Sequence, residues 1–277
     1  MANSSIETSI PGISGDGLSV VVGSTQGGIT LLESATGRML WSNQSASSIV
    51  GQPLIDRELI FAGDSSGSLN CFAKSDGELL WRSSVKGVIT KQPISTSGVI
   101  IVRDGTNTVY AFERSTGKWQ WQVSREVPAD FSMQGQGALF LNADQLIVGY
   151  SDGYLVSYSV AQSGKELWSV PIGESKDDFR DIDGNLGFWR QFLAVGTPST
   201  GVTLVDTNRG VIHARIPIDG AFHILPHGDL LFVTTVDNQL RLVDPQSNEI
   251  VWLLDLGTDR GSITQVGYFK GKIILSL

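Results

Sequence analysis

The five-residue unit Gly77-Glu78-Leu79-Leu80-Trp81 recurs along the chain, and that recurrence limits the possible folds more than any other feature. Gly37-Arg38-Met39-Leu40-Trp41 precedes it, and Gly117-Lys118-Trp119-Gln120-Trp121 and Gly164-Lys165-Glu166-Leu167-Trp168 follow. Two degenerate copies come later: Gly210-Val211-Ile212-His213-Ala214 lacks the Trp, and Asn248-Glu249-Ile250-Val251-Trp252 lacks the Gly. The closing positions are 41, 81, 121, 168, 214 and 252, spaced by 40, 40, 47, 46 and 38 residues. A period near 40 made of short strands is the signature of a propeller blade, whose faces are buried only when neighbouring repeats stack.

Within each repeat a β-branched second strand is followed by a turn, an alternating third strand, a Thr/Ser/Asp-Gly turn and a fourth strand that ends in Trp. The second strands are expected at 18–23, 58–63, 98–103, 144–149, 191–196, 229–234 and 271–277. Third strands are expected at 29–33, 68–74, 108–113, 154–160, 202–206 and 239–244. The pattern predicts one all-β propeller domain over residues 1–277, with six complete four-stranded blades and the first two strands of a seventh from Ser262 to Leu277. The turn glycines 37, 77, 117 and 164 supply positive φ, which a β-carbon would penalise. The Trp residues read as wedges between blades, each indole N–H on a backbone acceptor; stacking on a cofactor is the alternative. Ile273-Ile274-Leu275 would present an apolar open edge, which implies further C-terminal strands unless Ser4 to Ile13 pairs into the last blade.

A net charge of −8 leaves no basic stripe to neutralise phosphates, so no nucleic-acid partner is expected, and no polybasic membrane patch either. Cys71 is the only cysteine and cannot form an intrachain disulfide; it reads as a small filler in a strand. Asp181-x-Asp183-x-Asn185 opens like a calcium loop, but Leu186 and Phe192 stand where Gly and a bidentate Glu belong. His223 and His227 have a metal spacing only on a helix, which Pro226 and the β context oppose. With three histidines and no supporting motif, neither a hydrolase triad nor any cofactor or metal is expected.

Two insertions break the period: Arg125 to Gly137 and Gly173 to Gly187. Long loops on a rigid scaffold are where function usually sits. In the first, Phe131 and Met133 alternate with polar residues, as interface anchors do within a polar rim; the alternative is that both tuck onto the propeller top. Lys176 and Arg180 offset Asp177, Asp178, Asp181 and Asp183 in the second.

The repeat is similar to the PQQ-like repeat shared by quinoprotein dehydrogenases, sensor domains and the BamB family of outer-membrane assembly lipoproteins. Quinoprotein dehydrogenases are about twice as long and use an adjacent-cysteine disulfide that Cys71 alone cannot form, so an enzyme is not expected. Phe131-Ser132-Met133-Gln134-Gly135-Gln136-Gly137-Ala138 resembles the BamB segment Leu-Ser-Leu-Arg-Gly-x-x-Ala at the same place in the repeat count. One blade on, Asp178-Phe179-Arg180-Asp181-Ile182-Asp183 resembles its Arg-Leu-x-Asp-Val-Asp loop. In that family both loops hold a POTRA domain of BamA, so the resemblance implies contacts from Phe131, Met133, Gln134, Asp181 and Asp183. Gln134 stands where the family has Arg, which removes a charge-assisted bond but leaves the apolar anchors.

The resemblance therefore implies a non-catalytic scaffold at the periplasmic face of the outer membrane, although this chain carries neither signal peptide nor lipid-bearing cysteine. Its partners would be BamA POTRA modules, the β-barrel assembly complex and unfolded outer-membrane proteins. A ligand-binding or sensor propeller from a larger signalling protein is the other reading.

Overall fold

The computed structural model describes residues 13–44, 47–125, 138–173, 182, 186–257, 262–263, 265–269 and 271–276. All described regular structure is β. The first sheet holds β1 (Ile13–Gly15), β2 (Ser19–Gly23), β3 (Ile29–Glu33) and β4 (Met39–Asn43). The second holds β5 (Leu54–Asp56), β6 (Leu59–Gly63), β7 (Ser68–Ala73) and β8 (Leu79–Ser84). β9 (Ile94–Ser95), β10 (Val99–Arg103), β11 (Thr108–Glu113) and β12 (Trp119–Ser124) make the third. These three sheets belong to one compact unit, residues Met1–Arg125.

The second unit, Glu126–Leu277, carries the rest. Its sheets are β13 (Leu139–Asn142), β14 (Gln145–Gly149), β15 (Tyr154–Ser159) and β16 (Lys165–Pro171), then β17 (Gly187–Trp189), β18 (Phe192–Thr197), β19 (Gly201–Asp206) and β20 (Val211–Ile216). β21 (Ala221–His227), β22 (Leu230–Thr235), β23 (Gln239–Asp244) and β24 (Glu249–Asp255) follow. β25 (Gln265–Phe269) and β26 (Lys272–Ser276) form a two-stranded sheet. Each sheet is an antiparallel meander in chain order, so the expected six complete units and two further strands are present, with boundaries within a residue or so of the pattern.

Burial follows position in the sheet rather than simple alternation. Middle strands such as β6, β10 and β14 are buried on nearly every residue, whereas the outermost β8 and β20 alternate between exposed and half-buried. The third strands were expected to alternate, yet β7 and β11 are buried on both faces. The reason is stacking within each unit: β6 and β7 lie between the first and third sheets, and β18 and β19 between the fourth and sixth. The apolar clusters accordingly lie between consecutive sheets. Val21, Ile29 and Leu31 meet Ile60, Ala62 and Phe72; Phe61, Leu69 and Cys71 meet Ile100, Val102 and Phe112. In the second unit Ile147 and Leu155 meet Leu193, Val195 and Val205, and Val202 and Leu204 meet Leu231, Val233 and Val243.

Two side-chain fits recur at these seams. The second strand ends in Gly23, Gly63 and Gly149, and the linker leading to the next sheet drops an Ile onto that glycine. A β-carbon there would lie 2.3 Å from Ile49 Cγ2, 2.2 Å from Ile89 Cγ2 and 2.6 Å from Ile182 Cγ2, respectively. The second fit joins the two halves of the sequence repeat. Trp41 packs on Gly77, Trp81 on Gly117 and Trp168 on Gly210, the turn glycine of the next sheet, so a β-carbon on those glycines would lie 2.4–2.5 Å from the indole. Trp41 Nε1 donates to Lys74 O at 2.8 Å and Trp168 Nε1 to Thr207 O at 2.7 Å, as expected of a seam wedge. Trp81 Nε1 is buried with no hydrogen-bond partner among the described residues, and Trp252 is 43% exposed.

The outer strands share a further irregularity. Trp41 pairs with Leu31 and Met39 with Leu32, so Leu40 is skipped; the same shift skips Leu80, Gln120, Leu167, His213 and Val251. Each of the six fourth strands therefore carries a one-residue bulge just before its Trp position.

Ion pairs fasten the same seams. Arg114 Nε meets Asp56 Oδ2 at 2.6 Å, and Lys74 Nζ meets Asp16 Oδ2 at 2.5 Å. Burial pushes the Asp56 carboxyl up, but the Ser95 hydroxyl and Arg114 outweigh it and hold it below its ordinary value. The hydrogen bond from Lys74 chiefly depresses Asp16. Because both folded values lie below the unfolded ones, the stabilisation is complete above the ordinary carboxylate range, about pH 4, and disappears as pH falls through the depressed values. Asp56→Asn should cost about 1–2 kcal/mol at neutral pH and flatten the decline of urea stability between about pH 5 and pH 3. An unchanged pH profile would remove Asp56 from the account of acid sensitivity.

Candidate partner-binding site

Phe131, Met133, Gln134, Asp181 and Asp183, the residues singled out in the sequence, lie outside the described residues. What the structure does place is the frame from which their loops spring. Ala138, directly after the first insertion, donates its N–H to Ile182 O at 2.9 Å, and accepts from Gly149 N at 2.9 Å. Ile182 is the residue between Asp181 and Asp183, and its side chain is fully buried.

The chemistry of this anchor is that of the other seams. Ile49 and Ile89 occupy the corresponding linkers, in Ile49-Val50-Gly51-Gln52-Pro53 and Ile89-Thr90-Lys91-Gln92-Pro93, and both are fully buried. Ile182 does the same work against Gly149, Ile147, Leu155 and Leu193. So the second insertion contains a seam residue, and the backbone bond to Ala138 ties the end of the first insertion to the middle of the second. The sequence signal that could have found this is the lone Ile, Ile49 and Ile89, in each of the first two linkers between a fourth strand and the next sheet.

Other polar groups are satisfied within the scaffold. Asp64 closes the β6–β7 turn by accepting from Ser66 N and Oγ, Ser68 N and Asn70 Nδ2 at 2.6–3.0 Å. Burial raises its pKa, but these donors outweigh that and leave it below the ordinary carboxylate value. Asp104 plays the same part before β11, accepting from Thr106 and from Gly87 N, which belongs to the linker after β8. Cys71 is fully buried in β7, and desolvation pushes its thiol up to about 12, so it is inert at neutral pH. His223 and His227 both lie on β21, the first buried and the second exposed beside Tyr268. Among the described residues no cluster of His, Cys, Asp or Glu could hold a metal ion, and no helix is long and apolar enough to cross a membrane.

Three solved structures show how such sheets are arranged elsewhere. BamB from Moraxella catarrhalis superposes with a TM-score of 0.84 at 18% identity, covering 95% of this chain and 80% of that one. The computationally designed Ika8 protein gives 0.78 at 14% identity over 95% of this chain and 79% of its own. Sqt1 of Saccharomyces cerevisiae gives 0.76 at 14% identity over 96% and 80%. These likenesses show the fold, an all-β propeller of four-stranded PQQ-like blades. Among curated proteins no sequence matches. The family described as outer membrane protein assembly factor BamB matches residues 3–70 and 56–253, nearly the whole length. By that match, the chain belongs to the BamB family.

Proposed function

We propose that residues 1–277 act as a single non-catalytic propeller scaffold in assembly of outer-membrane β-barrels, at the periplasmic face of that membrane. The insertions 125–137 and 173–187 dock a POTRA module of BamA, with Phe131 and Met133 as apolar anchors, Gln134 beside them, and Asp181 and Asp183 as polar contacts. Family membership supports the role, and the bond from Ala138 N to Ile182 O supports the two-loop surface, because it fastens the two insertions to one another. Anchors from one loop and carboxylates from the other would then meet a partner together. Strand addition to a POTRA sheet edge would supply further backbone hydrogen bonds without sequence specificity.

Calorimetric titration of the chain with the POTRA segment of its own organism's BamA tests this directly. Saturable binding is expected, weakened on the order of 30-fold in Phe131→Ala/Met133→Ala and in Asp181→Ala/Asp183→Ala, with circular dichroism unchanged. Absence of binding by the folded chain would overturn the scaffold reading in favour of a ligand-binding or sensor module. Unfolding of the first double variant would instead make Phe131 and Met133 packing residues.

A further inference from the structure

We propose, resting on the scaffold reading above, that Pro198 is a positioning residue of the docking surface: having no N–H, it leaves the backbone carbonyl that precedes Ile182 to a backbone N–H on a strand edge of the POTRA module. At other seams the turn between the second and third strands of a sheet fastens the linker arriving from the preceding sheet. Ser65 N donates to Ser48 O at 2.8 Å, Gly105 N to Val88 O at 3.0 Å and Val236 N to Gly220 O at 2.9 Å. In the first two cases the accepting residue stands directly before the buried seam residue, Ile49 or Ile89.

In the fifth sheet the donor's place falls to Pro198, because Gly196 pairs with Val202 as Gly63 pairs with Leu69 and Thr234 with Leu240. Proline has no N–H to give. Residue 181 precedes Ile182 as Ser48 precedes Ile49 and Val88 precedes Ile89. Asp181 itself lies outside the described residues, but Pro198 does not, and it cannot donate to that carbonyl whatever course the insertion takes. The turn is altered as well. Its positive φ falls on Gly201, at +81°, one residue later than in the counterparts Gly67, Asn107, Gly153 and Asn238. Pro198 O still accepts from Gly220 N at 2.9 Å, which fixes the turn to the next linker, while Ile182 O accepts from Ala138 N at the start of the fourth sheet. The seam between the fourth and fifth sheets therefore keeps its buried Ile and lacks the forward donor, and its linker is the insertion that carries Asp181 and Asp183. A surface carbonyl is served by water until a partner displaces it, and an added strand brings the N–H groups that do so.

The test restores the donor. Pro198→Ser is made in the full chain, since Ser65 and Ser151 fill the same place in other turns, and circular dichroism checks its fold. Amide hydrogen exchange should show the new N–H protected at least about tenfold relative to an unstructured peptide, because it bonds to the linker. Calorimetric titration with the POTRA segment of BamA should then show affinity about tenfold below that of the unsubstituted chain. Ser65→Pro, which removes the donor between the first and second sheets, should leave that affinity unchanged. Equal affinity of Pro198→Ser and the unsubstituted chain, or an unprotected new amide, overturns the proposal and leaves the scaffold reading standing. A comparable loss in Ser65→Pro also overturns it, since affinity would then follow general loosening of the sheets. Absence of binding by the unsubstituted chain overturns the scaffold reading and this assignment together.

Discussion

Gly77→Val should be among the most damaging single substitutions in the first unit, whereas Gly37→Val, at the same place in the first repeat, should be mild. Both glycines have positive φ, +77° and +71°, so each valine incurs the left-handed strain of about 1–2 kcal/mol. The surroundings separate them. A β-carbon on Gly77 would lie 2.5 Å from Trp41 Cε3, while nothing lies within 4 Å of one on Gly37. Overpacking adds about 1–3 kcal/mol at the first site only, for a total near 4 kcal/mol and a fall in Tm on the order of 10 °C. Thermal unfolding of both variants measures the difference. A double variant with Trp41→Ala should then be less damaging than the sum of the singles by about 2 kcal/mol, because the indole that collides is gone. Equal loss at the two glycines would mean that turn strain alone explains the repeat's Gly.

Ile182→Ala should cost about 2–4 kcal/mol in urea unfolding, and Ile182→Val about 1 kcal/mol, since the side chain is fully buried and its removal leaves a cavity against Gly149. On the proposed function it should also weaken POTRA binding about tenfold, because the loop residues on either side lose their common anchor. Ile49→Ala supplies the control. Ile49 is equally buried and fills the same place over Gly23, so it should cost comparable stability and leave binding unchanged. If Ile182→Ala bound as well as Ile49→Ala, the seam residue would have no part in presenting the loops.

The strands were legible because six imperfect copies of one pattern correct one another, and β10 and β22 fall within a residue of their expected limits despite their different sequences. What stayed hidden is pairing across copies. Trp41 was read as a wedge between blades and Gly77 as a turn residue, without the two being paired, and the structure shows them as one contact. The bulge was hidden for a similar reason: Leu40, Leu80 and Leu167 look like ordinary strand positions until the register of the neighbouring strand is known. At the two insertions no second copy exists to compare. Phe131, Met133, Gln134, Asp181 and Asp183 were therefore named by resemblance, and only the apolar Ile182 between the aspartates obeys the rule of the repeat.

The repeated fits also bear on how such chains can change length. Ile on Gly and Trp on Gly are the same two contacts at three seams, between the first and second, second and third, and fourth and fifth sheets, so the trailing faces of those repeats match one another's leading faces. Excision or duplication of a whole repeat would rejoin compatible surfaces, whereas loss of a few residues within one would leave both of its seams mismatched. Descent within such an architecture is free to add or drop entire units while the interior of each unit stays almost fixed.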